Sequence, residues 1–327
     1  MLEPTSISEQ MEILKQRNII LPNKSELILL QYGYYNLING YKDPFIDIEK
    51  TRIIGHDYYK SGTSLSHIVE LYKFDAILRS NLLYCIMVVE AQVKSLISLY
   101  FSLRFGTSHW DYLTPKSFKT APDKTKYVNS LISKLQKDID KFSNRTPHPS
   151  ISHFMHKYNQ IPLWVLNTIM SFGTMSRFYD NLQDDLKNKI AKSINPHLKP
   201  KTLSSVLYYL TDIRNKCAHS NRLYIHKIDQ RSTRSSMIPI LNIHNKLNIP
   251  CNKAKTQYQY GQDDILAVIL CLSIFFDQTR IFGMNYPIIE NSLRALGKNI
   301  PIPAMNFIRN VTGLHENILQ QLYKIFD

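Results

Sequence analysis

The stretch LYKFDAILRSNLLYCIMVVEAQVKSLISLY, residues 71–100, decides the fold. Its apolar side chains stand at Leu71, Phe74, Leu78, Leu82, Cys85, Val89, Val93, Leu96 and Tyr100. Steps of three and four residues keep one face apolar for about eight turns, which predicts one helix roughly 45 Å long. A helix of that length is the spine of a domain on which shorter helices pack. Asp75 and Arg79 stand four apart on it and are placed to pair, which on a helix surface is worth about 0.2–0.5 kcal/mol.

Outward from the spine the chain reads as mainly α. Residues 5–32 form one or two short helices broken at Pro22. QYGYYNLINGYKDPF (31–45) is dense in tyrosine, and a turn-rich 46–64 separates an N-terminal module, 1–64, from a helical body, 65–327. On the other side, 106–122 reads as a loop, followed by a lysine-rich helix at 123–142. A helix starting at Pro162 breaks near Gly173, and two more follow at 184–195 and 201–218. The basic, proline-interrupted stretch 226–262 has no helical period and reads as an inserted loop or hairpin before two last helices, 263–282 and 304–325.

Lysine and arginine number 40 against 26 acids, a formal +14, which calls for an anionic partner: nucleic acid or an acidic membrane. The plain alternative is a generally basic surface. The cysteines (Cys85, Cys217, Cys251, Cys271) lie far apart with no Cys-x-x-Cys, which argues against structural zinc or a disulfide framework and for reduced thiols. The N-terminus lacks the apolar core of a signal peptide, and the apolar runs Leu82–Val89 and Ile265–Phe276 fall short of the roughly 18 residues of a spanning helix. Both read as buried helices, and the expectation is a cytoplasmic protein with no membrane partner. His148, His153 and His156 have no cysteine or carboxylate at ligand spacing, so no metal is expected. Without a P-loop, dinucleotide or nucleophile-elbow pattern, no cofactor is expected either.

The chemistry concentrates in RNKCAHSNRLY, residues 214–224. On a helical wheel Leu203, Val206, Leu207, Leu210 and Cys217 fall within roughly 100° and define the buried stripe. Asn215 and His219 share a face away from it. Arg214 falls inside it, so its guanidinium needs a carboxylate, with Asp75 or Glu90 in reach of the argument, or a phosphate. Arg214 and His219 are about 140° apart on an ideal helix. Either the helix distorts at 217–219, or two copies of the chain share one site. A histidine with an ordinary pKa near 6.5 can move the proton of a ribose 2′-hydroxyl, and an arginine can stabilise charge on phosphoryl oxygens. That pair suffices for cleaving RNA without a metal.

Four segments occur in order: YYNLINGYKDPF (34–45), FDAILRSNLL (74–83), PLWVLNTIMSFGTMSRFYDNL (162–182) and RNKCAHSNRLY (214–224). Together they resemble the bacterial abortive-infection family that includes AbiD and AbiF, which is itself similar to the HEPN ribonucleases. Their motif is an arginine, commonly followed by a polar residue, then four to six intervening residues and a histidine. The resemblance implies a HEPN-like helical bundle, metal-independent RNA cleavage at a homodimer interface, and phage defence by growth arrest. For members similar to AbiF it also implies a structured small RNA, encoded beside them, that restrains them. The same resemblance makes Arg214, Asn215 and His219 the catalytic set. Many relatives carry a second histidine where this chain has Ser220.

Expected RNA contacts are Lys42, Lys216, Arg222 and Tyr224 around the motif, and Arg231, Arg234, Lys253 and Lys255 in the basic stretch. Tyr32, Tyr34, Tyr35 and Tyr41 read as packing in preference to base stacking. Two rival readings stay open: a non-catalytic RNA-binding protein, and a regulator acting on a protein partner. The second predicts binding that salt does not weaken steeply.

Overall fold

The computed structural model describes residues 4–219, 221–228, 243–253, 257–275 and 282–326. Helices dominate, and the β-pairing among these residues is confined to isolated bridges. The N-terminal module carries α1 (Ile7–Gln16), α2 (Ser25–Tyr32) and α3 (Ile48–Ile54), with a π-helical turn over Tyr35–Asn39 between the last two. The spine is α4 (Leu65–Phe105), followed by α5 (His109–Tyr112), α6 (Thr125–Asp140), α7 (Pro149–Tyr158) and α8 (Leu163–Leu166). Next come α9 (Phe172–Asn181), α10 (Asp184–Ile194), α11 (Pro200–Ala218) and α12 (Ile243–Lys246). The chain finishes with α13 (Ile265–Leu272), α14 (Phe282–Asn299), α15 (Ile302–Thr312) and α16 (Ile318–Phe326).

The 41 residues of α4 make it about 60 Å long, a turn or more beyond the expected span at each end. Ser64 caps its start by accepting from the Ser66 N–H, while His67 Nδ1 accepts the Ser64 N–H at 3.2 Å. Gly106 ends it at φ +113°, a conformation open to glycine. Helices α8, α10, α11 and α14 pack along it. Its core face follows the expected stripe to Val93, then runs through Ile97 and Phe101 in place of Leu96 and Tyr100. Phe101 closes on Phe178 at 5.4 Å and on Phe118 at 6.1 Å, an aromatic knot that selects that row. By length and composition α4 is also apolar enough to cross a membrane, and Glu90 and Lys94 on it pair at 2.8 Å. One face of it, from Leu71 to Phe101, is buried in the bundle, while Ile77, Tyr84, Met87, Leu99 and Leu103 on it are exposed.

Every residue of α13 is buried, so that run is an all-round hydrophobic core helix. Asp264 caps it: its carboxylate accepts the N–H of Ala267 at 3.0 Å and of Gly261 at 2.9 Å. Tyr209 of α11 donates its hydroxyl to the Asp264 carbonyl at 2.9 Å, which ties the motif helix to α13. Within the expected helix 263–282, α13 ends at Leu272 and 276–281 lie outside the described residues; the expected 304–325 is two helices broken at Gly313, φ +73°. A helix not among the expected elements, α14, fills 282–299 and accommodates Pro287 in its interior.

A buried polar joint holds the module to the spine. The fully buried Asp75 accepts from the Tyr41 hydroxyl at 2.8 Å, from Arg79, and from the backbone N–H groups of Leu223 and Tyr224 at 3.1 and 2.7 Å. Burial pushes its carboxyl pKa up, and the Arg79 guanidinium opposes that most strongly. The pair read as a helix-surface interaction is thus a hub joining three parts of the chain.

Candidate functional site

The motif occupies the last turn of α11. Pro200 sits at the helix start, where its missing N–H is no loss, and the buried row Leu203, Val206, Leu207, Leu210 and Cys217 faces the bundle. Asn215 and His219 are exposed, as the wheel requires. His219 caps the helix with its N–H still bonded to the Asn215 carbonyl at 3.1 Å. Helical geometry therefore persists to the histidine, and no distortion swings it towards Arg214.

Arg214 is half-buried, and its Nε lies out of solvent with no hydrogen-bond partner. Neither carboxylate expected for it is available: Asp75 binds Arg79 and Glu90 binds Lys94. Cys217 is buried, and that burial pushes its thiol up to about 12, so it is no nucleophile at neutral pH.

The chain leaving the motif is held firmly. The Asp75 carboxylate pins Leu223 and Tyr224, and Arg222 donates to the Gly40 carbonyl at 3.0 Å and approaches Asp43 at 3.5 Å. Tyr224 corrects an expectation. It is fully buried, its ring stacked on Tyr41 at 5.8 Å, so it packs the joint and offers no face to RNA. Lys42 is bound to Asp57 at 2.5 Å and, like Arg222, fastens the module in this conformation. Lys216 stands half-buried beside Asn215, and Lys253 is exposed. Arg231, Arg234 and Lys255 lie outside the described residues. Of the tyrosines, Tyr41 and Tyr32 pack edge-on against Tyr72 at 5.3 and 4.9 Å, whereas Tyr35 is exposed.

One pair escaped the sequence. His226 Nε2 lies 2.7 Å from Asp212 Oδ2, and this bond holds the Asp212 carboxyl below its ordinary value. Asp212 is three residues before Asn215 and seven before His219, so all three share a face of α11. That spacing was readable. The arrival of His226 was not, because it depends on the turn in which its N–H bonds the Leu223 carbonyl at 2.9 Å. Among the described residues no group of three or more His, Cys, Asp or Glu side chains converges as a metal site would.

The class defined so far is an all-α protein with a long central helix and an Arg–Asn–…–His motif at the exposed end of a helix packed on it. The family model described as Abi-like protein matches residues 27–225, from α2 through the motif. The chain belongs to the Abi-like protein family, which links it to abortive infection and phage defence. No curated protein and no solved structure matches it.

Proposed function

We propose that the protein is a metal-independent endoribonuclease of the HEPN type, working as a homodimer in phage defence. The observation that carries this reading is Arg214: a half-buried guanidinium with an unpartnered Nε and no carboxylate among the described residues, one residue before the exposed Asn215 and five before His219. A guanidinium nitrogen held out of water without a partner is costly unless a ligand completes it, and a phosphate matches a guanidinium in charge and geometry. In the reaction, neutral His219 takes the proton of a ribose 2′-hydroxyl. The 2′ oxygen then attacks the adjacent phosphorus, and the bond to the 5′ oxygen breaks. An imidazolium returns a proton to that oxygen. The products are a 2′,3′-cyclic phosphate and a 5′-hydroxyl. Arg214 holds the charge on the phosphoryl oxygens, and Asn215 orients the ribose or the imidazole.

The test is expression of the wild type and of His219→Ala in a bacterium, with growth followed and RNA ends mapped by their phosphate chemistry. Arrest and 2′,3′-cyclic ends with the wild type alone are expected. Equal arrest by both, with no new RNA ends, overturns catalysis and transfers the reading to a non-catalytic RNA-binding protein.

A further inference from the structure

A cleft of about 950 Å³ opens between α6, α9, α10 and the amino-terminal half of α11. Six cations line it: Lys124, Lys134, Arg177, Lys187, Lys199 and Lys201, against the carboxylates of Asp180 and Asp184. Asp180 is occupied by Lys124 at 3.1 Å and Lys187 at 3.6 Å, and Asp184 by Lys119 at 2.6 Å. Arg177, Lys199 and Lys201 are exposed and carry no ion pair among the described residues. Two tyrosines line the same cleft with their rings in solvent, Tyr127 at 58% and Tyr208 at 42% exposure. Two buried oxygens on its wall, Ser204 Oγ and Asn181 Oδ1, have no hydrogen-bond partner.

The cleft is aligned with the motif. Lys201, Ser204, Tyr208, Thr211, Asn215 and His219 fall within about 80° of the circumference of α11. From Thr211, the last cleft residue on this helix, His219 is roughly 12 Å further along the same face. Free cations spaced along a concave wall suit successive phosphates, and exposed rings between them suit bases, the combination that binds single-stranded nucleic acid. An isolated anion would need neither the rings nor the alignment.

We infer that this cleft is the track for single-stranded RNA, with Lys199, Lys201 and Arg177 on phosphates, Tyr208 and Tyr127 under bases, and the strand running along α11 to Asn215 and His219. The inference rests on the nuclease reading for its substrate, but its test reads binding alone.

Every chain in the test carries His219→Ala, and the probe is a fluorescein-labelled oligouridylate followed by anisotropy at several salt concentrations. Lys199→Gln/Lys201→Gln is expected to weaken binding at least tenfold and to lower the slope of log affinity against log salt by about 1.4, two single-strand phosphates' worth. Tyr208→Ala is expected to weaken binding about tenfold with the slope unchanged. All three positions are exposed, so folding is preserved; Lys298→Gln/Lys324→Gln, outside the cleft, removes the same charge as a control. If the cleft pair behaves like the control pair, the cleft is not the track. If uridine monophosphate competes as well as the oligomer, the cleft is a nucleotide pocket and the inference fails. If the His219→Ala chain still cuts RNA while the cleft variants lose binding, the catalytic reading falls and the track stands.

Discussion

The Asp75 carboxylate accepts the backbone N–H of Tyr224 at 2.7 Å, across 149 residues of chain. Through this bond the spine holds the segment that leaves the motif, while Tyr41 and Arg79 crowd the same carboxylate. Asp75→Ala is expected to cost about 3–5 kcal/mol, because it leaves the Arg79 charge buried without its partner. Chemical denaturation measures this. A loss under about 1 kcal/mol would show that the joint is peripheral to stability.

Arg214→Met is expected to behave in the opposite way. Among the described residues the guanidinium has no carboxylate to abandon, so unfolding should change by no more than about 1 kcal/mol in either direction. Cleavage should nevertheless fall by about 10²–10³, the usual loss on removing a donor to transition-state charge. Circular dichroism melts beside a gel-based cleavage assay separate the two effects. A large drop in stability would identify Arg214 as a structural residue.

Acidification should destabilise the fold below neutrality. Burial lowers the pKa of His67, His109, His244 and His315 from its ordinary value near 6.5. The ring nitrogens of His67 and His109 accept backbone N–H groups from Ser64 and Ile161, and a proton there would break both bonds. For a base whose folded pKa is depressed, the unfolded chain takes up protons first. The stability is therefore complete above about pH 6.5 and declines as pH falls through the folded values. Melting temperatures should be level from pH 7.5 to 8.5 and decline towards pH 5.5. A flat or rising profile across that range would contradict this assignment.

Much of the architecture was legible because it follows from periodicity. Apolar steps of three and four located α4, and the proline at its start and the buried row defined α11. On α4, Leu96 with Tyr100 and Ile97 with Phe101 satisfy the same spacing, and only the rings of Phe118 and Phe178 decide between them. Helix α14 was not among the expected elements. Pro287 stands in its second turn, where it removes one helical hydrogen bond and leaves the rest of an 18-residue helix intact. At the site, the exposure of Asn215 and His219 was readable from the wheel. The burial of Tyr224 and the partner of His226 were not, since both depend on where the chain turns after the helix ends.

The geometry of α11 leads to the sharpest prediction for the proposed enzyme. Arg214 and His219 project about 140° apart, and the helix keeps its form up to the histidine. One chain therefore does not aim both groups at one phosphate, whereas two chains related by a two-fold axis can exchange them. Arg214→Met and His219→Ala chains, each inactive alone, should recover cleavage when denatured and refolded together. Random pairing makes half of the dimers mixed, and each mixed dimer holds one intact site of two, so about a quarter of wild-type activity should return. If Arg214 and His219 of the same chain formed the site, no mixture could restore it. Recovery near a quarter places the arginine and the histidine on different chains; a mixture as inactive as its components rules out the shared site.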